Sequence, residues 1–297
     1  MPEINWYPGH MAKTRKLLET QIRAVDAVIE LCDARAPRAT RNPDLTRLSK
    51  GKTHILVLNK CDLANENLTN EWIQHFRRQN LTAVKFQSVG GKAKDIFTLI
   101  EQAARPAVER MKARGANKTV RMMVVGIPNV GKSTFINKLR GQSIAKAGDR
   151  PGVTKSNQWV KIGPYLELLD TPGMLWPKLE DQKEAQMLAF LGSIRDQIMD
   201  GEALATELLL TLLDIAPAEA VARFKLPENA WELHPDELLD AACKGRGWLL
   251  SGGRCDTERA AAVILDEFRA SKLGRITLEK PEGSTCPEKA HRTSLSE

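Results

Sequence analysis

The chain has 297 residues, 42% of them hydrophobic and 27% charged, a globular composition that excludes collagen, coiled coil and wholesale disorder and leaves room for two domains. Lys and Arg total 44 against 37 Asp and Glu, but residues 1–150 hold 27 basic and 13 acidic side chains, an excess of +14, while residues 151–297 hold 17 and 24, or −7. So basic a half points to a polyanionic partner, while five cysteines without a CxxC pair exclude a disulfide framework.

The opening Met1 to His10 carries an acid and two prolines and no apolar run, so it reads as neither a signal nor a transit peptide. No apolar stretch approaches the ~20 residues of a membrane span. A cytoplasmic protein without a membrane partner is expected.

From the N-terminus, Lys13, Arg15, Lys16 and Arg23 fall on a helical pattern. The apolar runs Ala24 to Cys32, His54 to Leu58 and Ala83 to Phe86 predict buried strands. Each is followed by a helical pattern, at Pro43 to Lys50, Glu66 to Arg78 and Lys94 to Ala104. That alternation predicts an α/β fold with a mostly parallel sheet. Arg105 to Lys118 reads as a basic, helix-prone connection ending at Gly115 and Val120 to Val125 as another buried strand, and Trp159 to Ile162 with Tyr165 to Leu169 around Gly163-Pro164 reads as a hairpin that adds one antiparallel neighbour. Beyond Pro177 the strand signals stop. Gln182 to Leu191, Gly201 to Leu213, Pro217 to Phe224, Pro235 to Lys244 and Thr257 to Ser271 predict a small helical domain. From Thr277 onward the chain reads as a disordered tail.

Chemistry concentrates in the first part. Gly126-Ile127-Pro128-Asn129-Val130-Gly131-Lys132-Ser133 joins the strand ending at Val125 to a helix over Thr134 to Arg140. Its glycines let successive N–H groups face phosphates, Lys132 reaches the outer phosphates, and the Ser133 hydroxyl suits Mg²⁺. Val130, Gly131 and Thr134 complete this nucleotide-binding loop. Asp170-Thr171-Pro172-Gly173 ends the second hairpin strand, 37 residues after Ser133, and supplies a Mg²⁺-side carboxylate with a Gly173 N–H for the terminal phosphate. Between them, Thr154 in Asp149 to Thr154 stands where a switch threonine closes on Mg²⁺.

Asn59-Lys60-Cys61-Asp62 follows the buried run Ile55 to Leu58. The Asp62 carboxylate can accept from the ring N–H and the exocyclic amine of guanine, a pair that adenine cannot offer. Ser88 and Val89, after the next strand, complete a guanine site. The order is inverted: the base motif precedes the phosphate loop by about 70 residues, which a sheet tolerates because only the strand ends need to meet.

With this order, the opening Asn5 to Met11, Asp33-Ala34-Arg35-Ala36-Pro37 and Arg41-Asn42-Pro43, the sequence resembles the circularly permuted GTPases of ribosome biogenesis. The resemblance covers roughly residues 3 to 275. It implies a permuted P-loop GTPase domain over residues 1–177, a helical C-terminal domain that binds ribosomal RNA or the ribosome over 178–275, and a tail over 276–297. It implies a GTP- and GDP-binding factor acting late in assembly of the large ribosomal subunit, touching rRNA and ribosomal proteins, and a monomer off the ribosome. Ser88-Val89 replaces the family's common Ser-Ala, a change that a backbone contact tolerates. Residues 176–240 hold 5 basic and 14 acidic side chains, so RNA contact is expected from residues 241–275 instead.

After Gly173 stands Met174, where Ras-like enzymes place a water-orienting Gln, so intrinsic turnover should be slow and stimulated by ribosomal particles. The resemblance offers His10, in the Pro-Gly-His turn, as the replacement, against the reading that His10 merely packs its loop. It also associates Asn129 with a bound K⁺. Arg35, Arg38, Arg41 and Arg47 read as one cluster for phosphate-backbone contacts. Two classes of function stay open, a GTPase switch gating binding to a preribosomal particle and a nucleotide-dependent RNA-binding module whose hydrolysis is incidental. A membrane-traffic GTPase is disfavoured, since neither end carries a lipidation site.

Overall fold

Parallel strands without polar alternation need cover on both faces, and β1, Ala27–Asp33, meets that demand with all seven residues buried. A computed structural model describes residues 9–91, 93–113, 119–140, 158–163, 166–171, 181–194 and 200–284. Its six-stranded sheet runs β3-β2-β1-β4-β6-β5, with β2 at Thr53–Asn59, β3 at Thr82–Lys85, β4 at Val120–Val125, β5 at Gln158–Gly163 and β6 at Leu166–Asp170. β1 pairs in parallel with β2 and β4, β2 with β3, and β4 with β6; β5 alone is antiparallel, as the hairpin pattern predicts.

Helix α1, Gly9–Arg23, precedes β1 and turns into it over Ala24 to Asp26. Its Leu18 and Ile22 pack with Val25, Val28, Leu45, Met123, Val125 and Leu169. The Lys52 ammonium, at the start of β2, donates to the carbonyls of Ile22 and Val25 and, at 3.2 Å, to that of Arg23. The last turn of α1 thus gains a cation where its orphan carbonyls need one. Helix α2 is only Leu45–Leu48, shorter than the expected Pro43 to Lys50. Helix α3, Glu66–Arg78, is capped by Asn65, which accepts from the Leu68 N–H, and buries Trp72, Ile73 and Phe76 against Leu56, Leu58 and Ala83.

Helix α4 corrects the sequence reading. It spans Ala93–Ala113 and runs through Pro106, so the helix expected over Lys94 to Ala104 continues as one element into the helix-prone connection that follows. Proline removes one backbone bond, to the carbonyl four residues earlier, and the strong helix formers Ala103, Ala104, Arg105, Glu109 and Met111 on either side outweigh that loss. Helix α5, Lys132–Arg140, buries Phe135, Ile136 and Leu139.

The chain folds as an α/β unit, Asn5–Glu180, and a second unit that holds Asp181–Glu297. Within the second, α7, Gly201–Ile215, buries Leu204, Leu208, Leu209 and Leu212 and packs against α6, Gln182–Phe190, α8, Pro217–Phe224, α9, Pro235–Arg246, and α10, Thr257–Arg269. Its polar focus is Glu267, which takes Arg223 at 2.9 and 2.6 Å and Arg246 at 3.3 Å. Ile276, Thr277, Leu278 and Glu279 are buried, which contradicts the tail reading for those four residues. Two apolar side chains there find cover that the polar composition hides.

A second buried acid stabilises the α/β unit. Glu30, 1% exposed, takes the Asn42 N–H at 2.8 Å, the His54 ring at 3.0 Å and the Arg41 guanidinium at 3.3 Å. Burial alone would raise this carboxyl, but the His54 bond, the Arg41 charge and the Asn42 N–H together hold it below its ordinary value. A lowered acid pKa contributes stability at neutral pH that is lost as pH falls through the lowered value. Glu30→Ala is expected to cost about 3 to 5 kcal/mol, since it strands Arg41 and His54. Denaturant unfolding at neutral pH checks the loss, and the gap to wild type should narrow on acidification below the ordinary carboxylate range.

Candidate functional site

Strands that run parallel end on one edge, and here that edge gathers the candidate residues. β1 ends at Asp33, register partner of Asn59 at the end of β2, and Asp170 at the end of β6 pairs with Val124, one residue short of the strand end that leads into the phosphate loop. The inverted motif order therefore costs nothing in space.

Asn59 joins three loops. Its Nδ2 donates to the Val130 carbonyl at 2.8 Å, while its Oδ1 accepts from the Ser88 N–H at 3.1 Å and the Ser88 hydroxyl at 2.8 Å. Lys60 sits at φ 59°, in the left-handed region, and its ammonium donates to the Asn129 carbonyl at 2.6 Å. Asn129 is also left-handed, at φ 62°, a conformation that Asn tolerates better than most residues.

Gly131, at φ +94°, has no room for a side chain: a Cβ there would lie 2.6 Å from Asn59 Nδ2. A Cβ on Gly126 would lie 2.7 Å from the Leu31 carbonyl, so the loop also hugs β1. Lys132 is 8% exposed, and its ammonium donates to the carbonyls of Gly126 at 3.0 Å and Ile127 at 2.9 Å. Burial lowers it to about 8, against the opposing pull of Asp170. Ser133 and Thr134 follow in the first turn of α5, whose N–H groups and dipole favour an anion. Thr171 anchors the end of β6 by donating to the Val124 carbonyl at 2.7 Å.

The remaining candidates are spread differently. Asp62 is half-buried on the loop after β2, and Val89, next to the buried Ser88, is 73% exposed. Thr154, Gly173 and Met174 lie outside the described residues. His10 belongs to the first turn of α1, a correction to its expected place in a turn; its side chain lies outside the described residues.

One reading is overturned. Arg35 is 2% exposed, not part of a phosphate-contacting cluster, because a bidentate bond to Asp33 draws its guanidinium inside, Nε to Oδ1 at 2.9 Å and Nη2 to Oδ2 at 2.8 Å. Arg41 is drawn to Glu30 and Thr46 in the same way. Sequence reasoning missed Asp33, whose signal was a carboxylate at the tip of an apolar strand, the pattern that singled out Asp170.

Similarity to known proteins agrees with this geometry. The chain is 41% identical over 281 residues to ribosome biogenesis GTPase A of Bacillus cereus, covering 94% of each, and 42% identical over 284 residues to its counterpart in Bacillus pumilus, covering 94% and 99%. The chain belongs to the ribosome biogenesis GTPase A family. A family model described as 50S ribosome-binding GTPase matches residues 121–229. Among solved structures, GNP-bound YlqF from T. maritima aligns with TM-score 0.62 at 27% identity, covering 91% of this chain and 99% of that one. Membership makes the chain a GTP-hydrolysing factor of ribosome assembly with a circularly permuted GTPase fold. Among the described residues no helix is long and apolar enough to cross a membrane.

Asn59→Ala would orphan the Ser88 N–H and hydroxyl and the Val130 carbonyl, each buried group costing about 1 to 3 kcal/mol. Lower thermal stability and weaker GDP binding should appear together in that variant. A variant losing stability alone would show that Asn59 braces the sheet edge without shaping the nucleotide site.

Proposed function

We propose that this GTPase acts on the large ribosomal subunit or its precursor, binding it in one nucleotide state and leaving it after hydrolysis. The observation that carries the nucleotide half of this reading is the pair of bonds from Asn59 to Val130 and from Lys60 to Asn129, which join the base loop to the phosphate loop. The partner half rests on the 50S ribosome-binding description of the matching family model and on the +14 excess in residues 1–150. The chain works as a cytoplasmic protein, monomeric off the ribosome.

Asp62 reads guanine through its ring N–H and exocyclic amine. Asn59, whose amide is engaged with protein partners on both ends, braces the loops, and Ser88 and Val89 edge the base. The N–H groups of Asn129, Val130, Gly131, Ser133 and Thr134 cradle the phosphates. Lys132 has three ammonium donors, two on its own loop and one left for a phosphate oxygen.

The hydroxyl of Ser133 and the carboxylate of Asp170 are hard oxygen donors, the chemistry Mg²⁺ prefers, and Thr154 adds a third oxygen when the terminal phosphate is present. Asn129, exposed at the loop tip, offers its amide oxygen to K⁺. Bound, these cations neutralise phosphate charge. Gly173 contacts the terminal phosphate, and His10 orients the attacking water in place of the glutamine absent at Met174.

Turnover of GTP by the full chain should be slow alone and rise at least about tenfold when large ribosomal subunits are added, with small subunits as control. His10→Ala should keep GTP affinity and subunit binding while losing most of the stimulated rate. No stimulation by large subunits would instead favour an RNA-binding module whose hydrolysis is incidental.

A second expectation comes from Lys132. Phosphate oxygens favour its charged form, so nucleotide binding takes up a proton once the free ammonium begins to titrate, at about 8. GDP affinity should therefore be flat below that pH and fall above it by up to about tenfold per pH unit. Calorimetric titrations from neutral to alkaline pH check this; an affinity indifferent to pH would remove Lys132 from the phosphate site.

A further inference from the structure

The tip of β1 carries an arrangement that the nucleotide reading leaves unused. Asp33 is 1% exposed and Arg35 is 2% exposed. The arginine makes three bonds to one carboxylate, from its backbone N–H at 3.1 Å, from Nε at 2.9 Å and from Nη2 at 2.8 Å. The same carboxylate holds a second cation, Lys60 Nζ at 3.0 Å from Oδ2. That ammonium in turn donates to the Asn129 carbonyl of the phosphate loop. The chain of contacts runs from β1 through the base loop to the phosphate loop within four residues.

Three considerations say that this is more than packing. A buried ion pair contributes little stability relative to apolar residues of the same size, because desolvation offsets the attraction. A stability device would therefore not need a fork of this kind at the binding edge. Lys60 is left-handed, a conformation that costs a lysine about 1 to 2 kcal/mol, and something must hold it there. Asp33 does: burial would raise its carboxyl, yet the charges of Lys60 and Arg35 hold it far below the ordinary carboxylate range, so it stays an anion. Arg35 also lies within the electrostatic reach of Asp62, which places two acids and two bases in one set.

We propose that Asp33 and Arg35 are a positioning pair for nucleotide binding: Arg35 fixes the rotamer of Asp33, and Asp33 holds Lys60 against the Asn129 carbonyl, so that the base loop and the phosphate loop keep one spacing before nucleotide arrives. The inference rests on the nucleotide-site reading proposed above.

The test is a double-mutant cycle read in GDP affinity, by calorimetry on the full chain, with unfolding curves on each variant. Asp33→Asn and Lys60→Met should each weaken GDP about tenfold, and the double variant should lose no more than the worse single one, because both break one link. Arg35→Lys, which keeps the charge and loses the fork, should weaken GDP less than Arg35→Met. If Asp33→Asn does not fold, the Arg35→Lys and Lys60→Met cycle reads the same coupling. Losses that multiply in the double variant, or an Asp33→Asn chain that is less stable but binds GDP normally, would overturn the pair's positioning role while leaving the nucleotide site intact. Lys60→Met with unchanged GDP affinity would overturn the nucleotide-site reading itself, and the inference with it.

Discussion

The bond from Asn59 to the Val130 carbonyl joins residues 71 apart in sequence, and the site hangs on it. In a permuted chain the base motif comes first, so neither loop can be positioned by its neighbour in sequence. They meet because β2 and β4 flank β1 in one parallel sheet and end on the same edge. An amide suits the junction, since it donates to one loop and accepts from another with a single planar group. Gly131 is the complementary half of that junction, for a Cβ there would occupy the space of the Asn59 amide.

β1 is consequently the spine of the unit, and it is an unusual spine. Seven consecutive buried residues include two carboxylates, Glu30 and Asp33. Each is matched by partners from the chain that follows, the Arg41 guanidinium and the His54 ring for Glu30, and the Arg35 and Lys60 cations for Asp33. The segment from Ala34 to Asp44 is therefore folded back onto the strand it has just left. Thr40 tightens this return by accepting from the Asp33 N–H at 3.0 Å and donating to the Ala36 carbonyl at 2.6 Å. Arg35 and Arg41 thereby become interior structure, while Arg38 and Arg47 stay exposed.

That inversion marks where the sequence was legible and where it was not. Strands were readable because parallel strands buried on both faces leave unbroken apolar runs: Val120–Val125 is found as expected, and α3 at Glu66–Arg78 follows from its apolar periodicity and its Asn65 cap. The glycines of the loop after β4 were readable because backbone curvature restricts residue type, and Gly131, at φ +94°, has no room for a Cβ. Arg35 was not readable, since a charge count assigns arginines to the surface and only the fold brings a buried carboxylate to meet one. Helix α4 was legible in two pieces, Lys94 to Ala104 and the helix-prone connection after it, and they join through Pro106 because a single breaker is local, whereas the helix is decided by the sum over both flanks.

Helix α1 shows how the segment before the sheet is tied to the site without sharing a motif with it. Leu18 and Ile22 share one buried cluster with Val125, the residue before the phosphate loop, and Leu169, the residue before Asp170. Close-packed side chains have few alternative arrangements, so a displacement of α1 along its axis would be felt at both strand ends. Lys52 opposes such a displacement by holding the last carbonyls of the helix at the far end of the sheet. The helix is therefore clamped at its C-terminus and seated through Leu18 and Ile22, so the chain enters β1 from a fixed point.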